Sequence, residues 1–523
     1  MSPTRLSLRI APILVAFVAA LALLAAGFGA DTQTERVSVA SDGSEADRQS
    51  VGPAISADGR YVAFESDATM LVPNDTNSRD IFVHDRMSGE TTRVNVATGG
   101  GQAGNIGQYA DISDDGRYVA FSTAAENMVG GDTNGQDDVF VRDRLSGTTE
   151  RVSVGPGGLE ANDESITPSI SGDGRYVAFT SRATNLVAGD ENDDWDVFVH
   201  DRQTGATELV SQSSDGTPGN HSSGWFGGGR GRISADGRFV VFGSLADNLA
   251  PDDVNERDDV FLRDRTLGTT ERISIATDGT EGNGHSTYPD VSDDGRYVTY
   301  QSAANNLTEG DSNNTSDVFL RDRQAGTTTL VSHAFGGGAA LGPSQFPRIS
   351  GDGTTVVLES AALDLVPGDT NVWRDAFRYD VTSETIALVS VGPGGVQGDG
   401  NSSGVAIGGD GTTIAFHSEA PNLIAGDGNG VTDVFVRGKS LAPPTPTPTV
   451  TATPTPQIET GDANCDGSVN SIDAAVVLQF VAALLGALPC PTGADANADG
   501  STTAIDATLI LQFVAGLLSE LPP

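Results

Sequence analysis

Lysine is all but absent from this chain: of 30 basic residues only Lys439 is a lysine, against 71 acidic ones, and the formal net charge is −41. A polyanion of that size will not coat nucleic acid or an anionic membrane, because phosphate binding needs clustered Lys and Arg. Aromatics are scarce at 6% while glycine numbers 65, which speaks for many short turns and against long helices. Long apolar runs are limited to one, Ile10 to Ala26, preceded by Arg5 and Arg9 and followed by small residues. That layout predicts a secretory signal peptide over residues 1–30, cleaved between about residues 26 and 30. The alternative is an uncleaved anchor, the one case in which a membrane would be a partner. Either way the mature chain faces outward and is expected to be secreted. A hydrophobic content of 37% is too high for a disordered acidic chain, so it should fold, mostly as β-structure.

A phrase of the form S-x-D-G-R-Y-V-A-F-x-S recurs seven times, beginning at Ser56, Ser113, Ser171, Ser234, Ser292, Ser350 and, with glycine, Gly408. The spacings are 57, 58, 63, 58, 58 and 58 residues, a period that indicates a propeller or solenoid. Each period holds four strand-like runs. In the first, Asp58-Gly59 separates two apolar runs and marks a tight hairpin. Asp80–His84 and Thr91–Val96 follow, split by a second turn. Four short antiparallel strands make a propeller blade. The seventh unit stops after its third strand at Arg437, and its missing strand is found at the other end of the chain. There Glu35-Arg36-Val37-Ser38-Val39 matches Glu150-Arg151-Val152-Ser153-Val154. The expected fold is mainly β: a seven-bladed β-propeller over residues 31–440, closed by an N-terminal strand that leaves no open edge.

These phrases resemble the TolB-type, WD40-like propeller repeat over about residues 35 to 437. The resemblance implies the fold and leaves function open, because such propellers dock proteins and also carry peptidases and lyases. Residues 441–459, rich in alternating Pro and Thr, read as an extended linker.

Residues 460–523 carry a duplicated loop and a small α-helical expectation. Copy one offers Asp462, Asn464, Asp466, Ser468, Asn470 and Asp473; copy two offers Asp495, Asn497, Asp499, Ser501, Thr503 and Asp506. Oxygen ligands at positions 1, 3, 5, 7, 9 and 12 with glycine at 6 suit calcium, one ion per loop. Each loop leads into an apolar helix, expected over Ile472–Leu485 and Ile505–Leu518. The pair resembles a type I dockerin, which implies a cohesin-like partner. In that family Ser471, Ile472, Ala504 and Ile505 occupy the recognition positions, yet this segment has no basic residue to meet a cohesin. Cys465 and Cys490 both fall here and, in an exported protein, are expected to form a disulfide.

The loop between second and third strands reads Asp-x-Asn-x₃-Asp, as in Asp132/Asn134/Asp138, Asp190/Asn192/Asp196, Asp311/Asn313/Asp317 and Asp427/Asn429/Asp433. The first blade, with Asp75/Asn77/Asp80, is one residue short. Further calcium and hydrogen-bonded Asx-type loops both fit this pattern. Because all blades share the loop, function is expected where the copies differ, in the inter-blade connections. These carry His221, His285 and His333, while Trp195, Trp225 and Trp373 lie in loops of the same face. Such rings suggest a stacking surface for sugars, or covers for blade tops. Gly400–Gly404 fits G-x-S-x-G but is expected in an inter-blade loop, not on a nucleophile elbow.

The leading functional expectation is a secreted binding module, its propeller holding carbohydrate or protein and its dockerin tethering it. The other is a carbohydrate-active enzyme, a polysaccharide lyase or glycoside hydrolase, with catalytic residues unknown. Convergence of His221, His285 and His333 on one axial pocket would favour the enzyme.

Overall fold

The computed structural model describes residues 32–76, 79–190, 192–224, 230–441 and 460–521. The expectations for the signal peptide, the linker after Leu441, Asn77 and Trp225 concern residues outside that set. The chain divides into two compact units, which meet in sequence between Leu441 and Ala442.

The first unit is a ring of seven four-stranded antiparallel sheets. One blade shows why the repeated phrase folds as it does. Strands β2 (Ser50–Ile55) and β3 (Tyr61–Ser66) are joined by the Asp58-Gly59 turn. Ser56 Oγ donates to Asp58 Oδ1 at 2.7 Å and accepts from Tyr61 N, while Arg60 N donates to Asp58 Oδ1 at 3.0 Å. Gly59 supplies the positive φ of 72°. Arg60 then clamps Asp85, at the end of β4 (Asp80–Asp85), with two bonds of 2.8 and 2.7 Å. The outer strand β5 (Glu90–Arg93) completes the sheet and is shorter than its apolar run, since Val94 and Val96 turn inward to the core. The Ser, Asp, Gly and Arg of S-x-D-G-R therefore have partners within their own blade, whereas Ala57 at x donates to Asp114 O of the next.

The core lies between blades. Ala63, Ile81 and Val83 of the first pack with Val119, Phe121 and Phe140 of the second, and the pattern continues around the ring. Closure is as expected: β1 (Thr32–Arg36) pairs antiparallel with Asp433–Lys439, Thr32 opposite Lys439 and Arg36 opposite Phe435. Ser402 proves to lie on the innermost strand of the last blade (Ser402–Ile407) rather than in a loop. Its hydroxyl is buried against Ser418 Oγ at 2.9 Å.

The second unit holds helices α1 (Ser471–Val481), α2 (Pro491–Ala494) and α3 (Ala504–Val514). Asn470 and Thr503 cap α1 and α3, each reciprocated by the aspartate three residues on, Asp473 or Asp506. Both helices end four residues before their apolar runs do. Ala483 and Gly516 take left-handed φ of 55° and 71°, and Leu484 N and Leu517 N donate back to Gln479 O and Gln512 O. This is a Schellman stop in each copy, and it is set by local hydrogen bonding, which hydrophobicity does not signal. Cys465 and Cys490 form a disulfide.

Candidate functional site

The inner strands enclose an axial channel of about 480 Å³. Residues of every blade line it at three levels. At the first level a bulge shifts the register, for example between Val51 and Ala54 or between Gln345 and Arg348. The bulged residues are Gly52, Tyr109, Thr167, Tyr288, Phe346 and Gly404, all with φ between 50° and 63°. Arg230 stands at this level in the fourth blade, its guanidinium 4.9 Å from the Tyr109 ring centroid. Gly404 has no substitute here, since a Cβ would lie 2.3 Å from His417 Nδ1.

Four of the six bulge N–H groups meet a side chain of the preceding blade. Glu65 accepts from Tyr109 N at 2.8 Å, Gln301 from Phe346 N at 3.0 Å and Glu359 from Gly404 N. His417 Nδ1 lies 3.4 Å from Gly52 N. Burial raises the Glu65 and Glu359 carboxyls above the usual range, and it lowers His417 to about 4, so that ring is neutral. Arg79 and Arg374 partly offset the two glutamates, at 3.7 and 3.4 Å.

The second level reads Ala54, Asp111, Ser169, Arg232, Asp290, Arg348 and Ala406. Arg232 bridges Asp111 at 3.6 Å and Asp290 at 3.4 Å. The two aspartates also accept from Ile170 N and Ile349 N of the next blade, each at 3.0 Å. The Arg348 guanidinium makes no ion pair or hydrogen bond with any described residue, although Arg348 is paired through its backbone with Val357. At the third level Asp114 and Asp293 face the channel, and burial, then Asp293, pushes Asp114 up to about 6.

Of the loop residues expected from sequence, Arg230 and Arg232 line this channel, whereas His221, His285, His333, Trp195 and Trp373 do not. His221 is exposed. His285 Nδ1 lies 2.7 Å from Asp258, and His333 sits edge-on to Tyr379. The three imidazoles do not converge. Among the described residues two groups of three bring ligand atoms within 4.8 Å, Asp132–Asp138–Glu160 and Asp253–Asp259–Glu281, and neither contains a histidine. Trp195 is buried at 5% exposure and cannot offer a stacking face, whereas Trp373 is 42% exposed.

The Asp-x-Asn-x₃-Asp loops hold a cation already in four blades, and it is an arginine. Arg151 lies 3.6, 3.2 and 2.6 Å from Asp132, Asp138 and Glu160. Arg272 meets Asp253, Asp259 and Glu281; Arg36 meets Asp427, Asp433 and Glu45; Arg93 meets Asp75 and Asp80. A guanidinium thus stands where the calcium expectation placed an ion. The asparagine of the loop is a strut: Asn134 donates to Ala161 O and Asn192 to Gly219 O. The third, fifth and sixth blades have Leu209, Leu330 and Leu388 at the arginine position. There Asp196 is pushed up to about 7, and Asp317 and Asp375 to about 6, chiefly by burial.

In the second unit the duplicated loops close on themselves. Asp462 accepts from Asp466 N and Gly467 N, and Asp495 from Asp499 N and Gly500 N. Asp473 and Asp506, fully buried, accept from Asn464 N and Asn470 N, and from Ala496 N and Thr503 N. Every side-chain donor atom offered is a hard oxygen, and the backbone amides fix the carboxylates inside the loop, so the set fits calcium. Ile472 and Ile505 stand exposed at 59% and 61% on the first turns of α1 and α3, beside Ser471 and Ala504.

Residues 460–515 match the dockerin type I domain family, whose members bind cohesin domains and generally bind calcium. No curated protein matches the chain. Among solved structures, the chain is similar to an oligogalacturonate lyase in complex with manganese, at 12% identity and TM-score 0.47 over 79% of this chain and 95% of that one. It is similar to the β-propeller domain of the Trilobed protease from Pyrococcus furiosus, at 12% and 0.44 over 76% and 99%. It is also similar to TolB from Agrobacterium tumefaciens, at 16% and 0.34 over 54% and 80%. These likenesses concern the fold.

Proposed function

We propose that this protein is an extracellular binding module: a propeller that holds a carbohydrate or protein ligand, carried on a calcium-loaded dockerin that plugs into a cohesin-like partner. The dockerin match over paired loops of hard-oxygen donors is the observation that supports it most. The boundaries that go with it are a signal peptide over 1–30, a propeller over 31–440, a linker over 441–459 and the docking module over 460–523. Ser471, Ile472, Ala504 and Ile505 form the recognition positions. Because the module has no Lys or Arg, its contact with the partner rests on apolar side chains and on acceptors that meet donors of the partner. Glu65 and Glu359 in the channel wall are tied to backbone N–H groups, so they brace the wall rather than reach a substrate. The test is capture of the mature chain on a panel of immobilised type I cohesins, with calcium and with chelator. Calcium-dependent capture by one of them is expected; absence of capture by every cohesin would overturn the tethering role.

A further inference from the structure

Resting on the reading of the propeller as a ligand-binding module, we propose that its axial channel is a site for an acidic saccharide, with Arg348 and Arg230 receiving the anionic group. The seven blades differ most where they face the axis, and the differences are chemical. Four arginines, Arg230, Arg232, Arg348 and Arg374, come from blades four and six and line one cavity, Arg374 paired with Glu359. Arg232 is spent between Asp111 and Asp290, but the Arg348 guanidinium has no hydrogen-bond or ion-pair acceptor among the described residues, and Arg230 has a tyrosine ring and only the longer-range charge of Glu65. In a chain with more than two acids for each base, a guanidinium left without a bonded carboxylate in a channel is an unmet demand for an anion. Burial, and then the nearby Arg232, push Arg348 down to about 10, in keeping with that demand.

The aromatic lining points to a sugar. Tyr109, Tyr288 and Phe346 are held at positive φ, where bulky residues are rare, so the backbone is strained to turn these rings into the channel. Tyr288 and Phe346 pack edge to face at 4.5 Å, leaving a ring wall beside the arginines. A peptide suits the channel less, because strand addition needs free N–H groups. Those of Tyr109, Ile170, Phe346, Ile349 and Gly404 are already taken by side chains. A volume of about 480 Å³ is in the range of small-molecule sites, about 300–1,000 Å³.

The experiment is calorimetric titration of the mature chain with four probes: a uronic-acid disaccharide, its methyl ester, a sulfated disaccharide and a neutral one. Binding of the uronate or of the sulfated sugar is expected, weakened by salt, with the ester and the neutral sugar at least roughly tenfold weaker. Whichever anion binds identifies the group. Arg348→Gln should cost roughly tenfold or more in affinity while the unliganded protein melts at the parent temperature or above, since no hydrogen bond or ion pair is lost. Arg230→Gln serves as a second variant, and His221→Ala, outside the channel, should change nothing. Equal binding of acid, ester and neutral sugar, or unchanged affinity in both arginine variants, would overturn the anion site and leave a neutral-sugar module standing. Binding of none of the four overturns it too, while calcium-dependent cohesin capture would still support the tether.

Discussion

The turn glycine Gly116 of one blade sits on the ring of Tyr61 in the blade before it, so close that a Cβ would lie 2.1 Å from the ring. Gly174 stands in the same relation to Tyr118, Gly237 to Tyr176 and Gly353 to Tyr297. The Asp-Gly-Arg-Tyr phrase is therefore a joint between blades as well as a hairpin. Arg144 of the later blade covers the same Tyr61 ring at 4.7 Å.

Gly116→Ala should destabilise the propeller by about 2–4 kcal/mol, adding a clash with a packed ring to left-handed strain. Gly89, also at positive φ but with no atom within 4 Å of where a Cβ would lie, is the control and should cost about 1 kcal/mol on alanine substitution. Urea unfolding of both variants measures the difference. Equal losses would mean that the Tyr61 contact carries no weight.

Deleting residues 31–40 should abolish cooperative melting or cause aggregation. It exposes the edge of Asp433–Lys439 and removes Arg36 and Ser38 from buried Asp433. A truncated protein that melts at the parent temperature would show that this strand does not close the ring.

Arg151→Leu should cost about 3–5 kcal/mol near pH 8, because Asp132, Asp138 and Glu160 lose their shared cation. Asp132 is already pushed up to about 6, by burial first and by Asp138 next. A carboxyl whose folded pKa is raised binds protons more readily folded than unfolded, so its contribution falls as pH climbs through that value. The variant should accordingly lose least near pH 5 and most above pH 7. A melting deficit independent of pH would show that the loss is packing alone.

Calcium should organise residues 460–523. Asp462, Asp466 and Asp473 repel one another without a cation, as do Asp495, Asp499 and Asp506. Circular dichroism of the separate module should gain helical signal when millimolar calcium replaces a chelator, with Asp473→Ala weakening the first site and Asp506→Ala the second. A module equally helical in both conditions, with no calorimetric heat of binding, would refute the metal sites.

The propeller was legible because its signature is local: Ser56, Asp58, Gly59 and Arg60 bond within a few residues or to Asp85, so spacing alone exposes the blade. The channel was not. Tyr109, Thr167 and Phe346 adopt left-handed backbone that their side chains disfavour, and nothing in composition announces a bulge there. The varying column Gly52, Tyr109, Thr167, Arg230, Tyr288, Phe346 and Gly404 was nonetheless visible inside the repeats. So was the coupling of Arg36, Arg151 and Arg272 to a glutamate nine residues on, the mark of a built-in cation. Histidine and tryptophan drew attention to the loops because they are rare, and rarity says nothing about which way a strand faces.

The bridge between Cys465 and Cys490 governs how the docking module carries load. Tension that enters through the linker at residue 460 and leaves through a partner's grip on Ala504 and Ile505 crosses the covalent bond at Cys465 and goes on from Cys490. Helix α1 lies inside the 25-residue loop so closed and is never stretched end to end while the bond is intact. Reduction would release a further length of about 80–90 Å, and the first loop would become the place where a pulled tether yields.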